Sequence, residues 1–502
     1  MQFQSLYFVL ILLPVSLAGY YSLVKRSEKA ADIFLIGMSL AFYAFAGFSS
    51  LTLLIAAAMV NYLLALPLIR RQRTGEGITS VHSDDKNDQH QKKAETVSKC
   101  LLVCGILFDL GLLAYFKYAN FFLENMNAVF RTEFPMRTLF LPLGISFYIF
   151  SLISWLVDTY HGKTGDVTLT DYLLYVTFFP KLTQGPILNI GRFLKSRKTR
   201  SFDYEMQSTA VGMFVLGMCK KIFLADAFGR AVSWAFADLS VPTATDMVLV
   251  MLAYTLQIYF DFSGYSDMAI AVGRMFGFDF PANFNSPYKA DSVSDFWRRW
   301  HISLTTFFRE YVYFPLGGSR GGTAKTYRNI MIVFLLSGLW HGANWTFVLW
   351  GAVHGICQIT ERLAGEAYRR IPAWVRRVLT FVIVNFLWLL FRSASVDEFR
   401  RACWHIFRYP FYTLTEAHLE SYKFTGVLYI LNQLGIEMAP YTVYAGCALL
   451  TFAIGLWICF VPKNNQEKMI ALRPATLILI TALSVYCLLS MNSVSAFIYN
   501  NF

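Results

Sequence analysis

The chain has 502 residues, 56% of them hydrophobic and only 15% charged, and 44 basic against 32 acidic residues leave a net charge of +12. Soluble domains run about 45–50% apolar and about 25% charged, so this composition excludes a disordered, collagenous or coiled-coil chain and points to lipid. The basic excess argues for no nucleic-acid partner, because basic residues of a membrane protein collect in the loops on its inner side.

The first apolar stretch, 5–24, has no basic residue before it, and Lys25, Arg26 and Lys29 follow it. That polarity is wrong for a cleaved signal peptide and predicts a first membrane helix with its N-terminus outside. A span needs roughly 20 mostly apolar residues. Further spans are predicted at 31–48, 51–69, 100–122, 138–159, 207–225, 246–266, 378–392, 441–461 and 474–491. Between the third and fourth, the polar segment 70–99 carries Arg70, Arg71, Arg73, Lys86, Lys92, Lys93 and Lys99. It lacks periodicity and reads as a disordered cytoplasmic loop. Segments 192–200, 289–328 and 362–377 are also rich in Lys and Arg and read as inside, whereas 123–137 and 393–439 balance the two signs and read as outside. The eight cysteines form no Cys-x-x-Cys pair, and most lie in apolar runs, where a thiol acts as a small hydrophobe.

Two stretches do not fit this alternation. Segment 171–190 begins and ends on the inside and is broken by Pro180, Gly185 and Pro186. Segment 329–360 is flanked by bases at both ends and contains Gly338, Gly342 and Asn344. Both read as re-entrant. Irregular backbone at membrane depth survives only when buried in protein or lining a cavity. The expected fold is therefore an all-α polytopic membrane bundle of about ten to twelve helices with re-entrant segments, one domain over residues 1–502.

Ionisable groups inside such a bundle are candidates for function. His341 lies in Ser337-Gly338-Leu339-Trp340-His341-Gly342-Ala343-Asn344-Trp345, where glycine neighbours permit close approach. A neutral imidazole there suits a general base; a buried histidine bonded to a carbonyl is the competing reading. His301 lies in a run whose Trp297, Trp300, Leu304, Phe307, Phe308 and Tyr311 form one stripe of a helix over 295–311. Arg298 and Arg309 fall on another face. Those arginines either snorkel to headgroups or hold an anion. His354 reads as packing. Asp261 and Asp267, with Gly264 distorting the helix between them, are too poorly aligned for an acid/base pair; orienting a histidine or bonding within the bundle suits them better. Gly317 to Gly322 is either a phosphate nest or a flexible loop.

Taken together, seven pieces resemble the membrane-bound O-acyltransferase family, and most closely its bacterial alginate O-acetyltransferase branch. In order they are Leu141-Pro142-Leu143-Gly144-Ile145-Ser146-Phe147-Tyr148; Phe178-Phe179-Pro180 through Gln184-Gly185-Pro186-Ile187; Asp261-Phe262-Ser263-Gly264-Tyr265-Ser266-Asp267-Met268-Ala269; Asn283-Phe284-Asn285-Ser286-Pro287-Tyr288; Phe296-Trp297-Arg298-Arg299-Trp300-His301-Ile302-Ser303-Leu304; Pro315-Leu316-Gly317-Gly318-Ser319-Arg320; and Gly338-Leu339-Trp340-His341-Gly342-Ala343-Asn344-Trp345. They make 115–360 the motif-bearing core. The ending Ala496–Phe502 also resembles that of the family, with Asn500 where an aromatic is usual.

The resemblance implies a bundle around a tunnel joining the two membrane faces, with His341 at the family's essential position and His301 at its second. It implies acyl transfer from a cytoplasmic thioester, acetyl-CoA or an acyl carrier, to a hydroxyl, serving acetylation of extracellular polysaccharide with an extracytoplasmic partner transferase. On that reading Arg298, Arg299, Arg309, Trp297 and Trp300 bind the donor. Trp300, Trp340 and Trp345 exclude water, Asn344 donates to the oxyanion, and Asp261 or Asp267 fixes a histidine tautomer. D-alanyl transfer to teichoic acid, acylation of a lipid or protein, and transport by a polytopic carrier are the competing functions.

Overall fold

A computed structural model describes residues 2–73, 85–408, 411, 414–436, 438–462, 474–491 and 494–498. Its elements are helices, and among the described residues the only β-pairing is a single bridge between Arg197 and Phe278. In chain order the first part forms α1 (Leu13–Val24), α2 (Glu28–Ala44), α3 (Phe48–Arg73), α4 (Asp85–Leu113), α5 (Ala119–Phe130), α6 (Ile145–Tyr160), α7 (Leu169–Thr177), α8 (Phe179–Leu182), α9 (Ile190–Ser196), α10 (Tyr204–Cys219), α11 (Asp226–Ala237) and α12 (Ala244–Met275). Then follow α13 (Val293–Arg299), α14 (Ile302–Phe308), α15 (Thr323–His341), α16 (Trp345–Arg370), α17 (Ala373–Arg392) and α18 (Val396–Arg408). The last are α19 (Glu416–Glu420), α20 (Thr425–Gln433), α21 (Pro440–Phe460) and α22 (Pro474–Ser490).

Among the described residues five helical stretches are long and apolar enough to cross a membrane: Phe48–Gln72, Lys92–Phe130, Ala244–Met275, Ala373–Arg392 and Pro440–Phe460. Phe8–Val24, Ile145–Tyr160 and Thr476–Ser490 are shorter apolar helices. The two remaining expected spans, 31–48 and 207–225, are also largely helical but carry buried charge, Asp32 in the first and Lys220 and Lys221 in the second. The polar loop expected over 70–99 is shorter, because α3 runs to Arg73 and α4 begins at Asp85; residues 74–84 lie outside the described residues.

The expected single domain divides into two compact units, residues 1–210 with 269–281 and residues 211–268 with 282–502. The motif-bearing core over 115–360 contributes to both. In the first unit α6 is almost wholly buried, its Ser146, Ser151, Ser154 and Asp158 included. The break predicted in 171–190 is real. α7 stops at Thr177, α8 lasts one turn, and α9 starts only at Ile190, capped by the Asn189 side chain. Tyr175 spans the break, its hydroxyl donating to the Leu188 carbonyl at 2.8 Å. Asp32 of α2 receives Arg197 at 3.0 Å and Arg200 at 3.2 Å, which satisfies its buried charge.

In the second unit α12 continues straight through Gly264, contrary to the expected distortion. That glycine instead lets α10 approach, because a Cβ there would lie 2.7 Å from the Gly217 carbonyl oxygen. The stretch 329–360 is a hairpin of two long helices, α15 and α16, turning at Gly342–Asn344. Its halves meet backbone to backbone. A Cβ on Gly338 would strike the Phe347 carbonyl oxygen, and one on Gly351 the Phe334 carbonyl oxygen. This small-residue contact is how helices approach when lipid removes the hydrophobic drive between them. All eight cysteines are free.

Candidate active site

Three of the chain's histidines gather in the second unit, and local backbone rules place each one. α13 starts at a Ser292 cap, whose hydroxyl accepts from Asp295 N at 2.9 Å. It lasts only to Arg299. The single helix expected over 295–311 is broken at Trp300 and His301, and His301 stands in the left-handed region at φ 43°, ψ 54°. A non-glycine residue there costs energy and persists only where its surroundings fix it.

Those surroundings are the 283–285 segment. The Asn283 carbonyl accepts from Ile302 N at 2.9 Å, and Asn285 N donates to the Arg299 carbonyl at 2.9 Å. The Asn283 side-chain oxygen accepts from Ser303 N at 3.2 Å and from the Ser303 hydroxyl at 2.9 Å. It also lies 3.3 Å from His301 Nδ1. The break that helical periodicity smoothed over is thus stapled from outside the run, and the imidazole is oriented by the same amide.

His301 is fully buried, and its ring lies 4.7 Å from Phe262 and 5.9 Å from Trp340, centroid to centroid. His341 is the last residue of α15, next to the hairpin turn and also buried. Its ring lies 4.9 Å from Trp340, 5.2 Å from Trp350 and 5.1 Å from Phe391. Trp340 therefore touches both imidazoles. His354 belongs to the same cluster. Trp297 Nε1 donates to its Nδ1 at 3.2 Å, which leaves the proton on Nε2, and its ring lies 4.7 Å from Trp350. Reading His354 as packing alone missed this bond; its position one residue before Gly355 gave no signal of it. Trp300 and Trp350 converge on Trp388, at 4.9 and 5.7 Å. The result is an apolar, water-poor setting, where a neutral imidazole can exchange a proton without competing solvent.

Several expected supports are placed elsewhere. Asn344 caps α16, its side-chain oxygen accepting from Thr346 N at 3.0 Å, and its amide donates to the Ala394 carbonyl at 2.6 Å. One of the two N–H bonds of that amide is thereby taken, and an oxyanion would have only the other. Trp345 is 52% exposed, whereas Trp300 and Trp340 are buried. Asp261 and Asp267 take lysines as partners. Lys221 Nζ lies 2.7 Å from Asp261 and 2.9 Å from Asp226, and Lys220 Nζ lies 2.6 Å from Asp267. The second oxygen of Asp261 accepts from Ile498 N at 2.8 Å, so the carboxylate secures the C-terminal segment rather than a histidine tautomer. Residues 499–502 of the expected family ending lie outside the described residues.

The expected donor-binding set separates in the same way. Trp297 and Trp300 are buried in the aromatic cluster. Arg299 is held by Asp295 at 2.7 Å. Arg298 and Arg309 are exposed; Arg298 lies 3.4 Å from Asp295, and Arg309 lies 3.9 Å from Glu310 and donates to the Thr306 hydroxyl at 3.5 Å. Among the described residues no group of three or more His, Cys, Asp or Glu could hold a metal ion.

A buried histidine pair around one tryptophan, in a helical membrane bundle with broken spans, defines a class that sequence comparison identifies. Residues 39–396 match the profile of the membrane-bound O-acyltransferase family, and the chain belongs to that family. It is 38% identical over 437 residues to a probable alginate O-acetylase of Azotobacter vinelandii, covering 85% of this chain and 83% of that one. It is 32% identical over 547 residues to a peptidoglycan O-acetyltransferase of Helicobacter pylori, covering 100% and 97%. A teichoic acid D-alanyltransferase of Streptococcus thermophilus is 31% identical over 256 residues, covering 47% of this chain and 58% of the other.

Proposed function

We propose that this membrane O-acyltransferase passes an acetyl group from a cytoplasmic thioester, acetyl-CoA or an acyl carrier, across the plasma membrane for O-acetylation of an extracellular or cell-wall polysaccharide. The observation that carries the reading is the common contact of His301 and His341 with Trp340 inside one buried aromatic cluster. His341 is the general base. It takes the proton of the attacking hydroxyl as the C–O bond forms, the C–S bond of the thioester breaks, and the departing thiolate is protonated to a free thiol. His301, oriented by Asn283, holds or polarises the thioester carbonyl. Arg298 and Arg309 attract the anionic donor from the inner face, and a tunnel joins that face to the outer one. The acceptor is the polymer or a hydroxyl of an extracytoplasmic partner transferase, and the N-terminus lies outside.

Full-length similarity to a peptidoglycan O-acetyltransferase supports acetyl transfer over D-alanyl transfer, since the D-alanyltransferase matches only about half of the chain. Family membership supports acyl transfer over transport. His341→Ala, present in the membrane at the normal level, is expected to abolish polymer acetylation measured by mass analysis of the cell-wall and secreted polysaccharide. Full acetylation in that variant would overturn the mechanism.

A further inference from the structure

The second unit contains a cleft of about 580 Å³, away from the buried histidines, between the start of α13, the start of α15, the end of α16 and the start of α17. Arg298, Arg362, Arg369 and Arg376 line it, together with the hydroxyl groups of Ser319 and Tyr327. Its acids are already engaged. Asp291 holds Arg376 at 3.0 Å, and Glu361 caps α13, accepting from Ser294 N at 3.0 Å. Arg369 makes only a surface pair with Glu366 at 3.1 Å, both side chains being more than 70% exposed, so the pair is weak. Arg362 has no ion-pair partner among the described residues. α15 begins in the wall of the cleft at Gly322 and Thr323 without a side-chain cap. Its first-turn N–H groups therefore add a partial positive charge to the arginines.

Two apolar stripes lead to this cationic cleft. On α16, Leu349, Ile356 and Leu363 follow at intervals of seven, 40%, 52% and 67% exposed. They run beside Arg362, about 100° round the helix, and end just before Gly365, where the helix kinks at φ 46° ahead of Arg369. On α17, a membrane-span candidate, Trp374, Val378 and Val382 follow at intervals of four, 69%, 54% and 56% exposed. Trp374 stands two residues before Arg376, at the end of the span where indole rings occupy the headgroup level. A soluble anion has no use for these stripes. Acyl chains lying along them bring a phosphate to the arginines.

We propose that this cleft is a binding site for the phosphodiester headgroup of an anionic phospholipid on the inner leaflet, held chiefly by Arg362 and Arg369. Basic pockets between membrane helices on the inner side take such headgroups. The cleft shares Arg298 with the proposed donor approach, but the inference rests on Arg362 and Arg369, which that mechanism does not use.

Native mass spectrometry of the purified full chain with equimolar phosphatidylglycerol and phosphatidylcholine tests it. The wild-type chain is expected to retain phosphatidylglycerol preferentially, and Arg362→Ala with Arg369→Ala to lower that retention by roughly tenfold or more. Arg400→Ala with Arg401→Ala, on the exposed face of α18, is expected to leave retention unchanged. Excess adenosine 3′,5′-bisphosphate is expected not to displace the lipid. Equal retention of the two lipids by the wild-type chain would overturn the proposal whether or not the variants fold. So would undiminished retention by the Arg362/Arg369 variant, and displacement by the bisphosphate would reassign the cleft to a soluble phosphate.

Discussion

At the scale of single residues, a side chain from outside the motif decides what the motif's histidine can do. His301 is held left-handed and oriented by Asn283, whose side-chain oxygen serves two donors of Ser303 and lies against the imidazole. Asn283→Ala removes that acceptor and leaves buried Ser303 donors without it, a loss of about 1–3 kcal/mol. The expected result is a lower thermal midpoint in detergent together with reduced acetylation, with the chain still present in the membrane. Normal acetylation would show that the orientation of His301 does not matter. The amide was visible in the sequence as part of Asn283-Phe284-Asn285, but no local pattern assigns it to a histidine 18 residues on. Conversely Asn344 looked available from its spacing to His341, and only the folded chain shows both of its side-chain atoms engaged.

Among the elements, the α15–α16 hairpin carries His341 and His354, and its closeness rests on Gly338 and Gly351. Gly351→Ala places a methyl against the Phe334 carbonyl. Overpacking of this kind costs about 1–3 kcal/mol, and it would separate the helices just where Trp350 touches both histidines. Acetylation is expected to fall more steeply than the amount of protein in the membrane, as read by polymer analysis beside a membrane immunoblot. Equal falls would mean the glycine serves folding alone. The hairpin itself was legible as an interrupted apolar stretch with bases at both ends. The break between α13 and α14 was not, because Trp297, Trp300 and Leu304 keep helical spacing across it and the staple lies in another segment. Periodicity reports which residues want burial, not whether the backbone between them stays helical.

Across the molecule, buried charge ties the distant parts of the second unit together. Lys221 reaches Asp226 and Asp261, and Asp261 receives Ile498 N, so the segment after α10, the middle of α12 and the C-terminal segment meet at one point. Asp261→Asn weakens one side of a buried pair, for which losses of about 3–5 kcal/mol are typical. The expected outcome is a lower thermal midpoint and easier proteolysis after residue 490, read by C-terminal tag retention; an unchanged tag would separate the tail from this network. Two lysines in one apolar span and two aspartates in another were a readable sign of such pairing. By itself the sequence determined that the chain is an all-helical membrane bundle, that it is interrupted within 171–190 and at Gly342–Asn344, and which family and histidines to examine, because these follow from composition, local breakers and contiguous motifs. Only the tertiary structure decided that Trp340 joins His301 to His341, that Asp261 answers to Lys221, and that four arginines from three helices share one cleft. Those contacts depend on how separate helices pack against one another, which no single segment encodes.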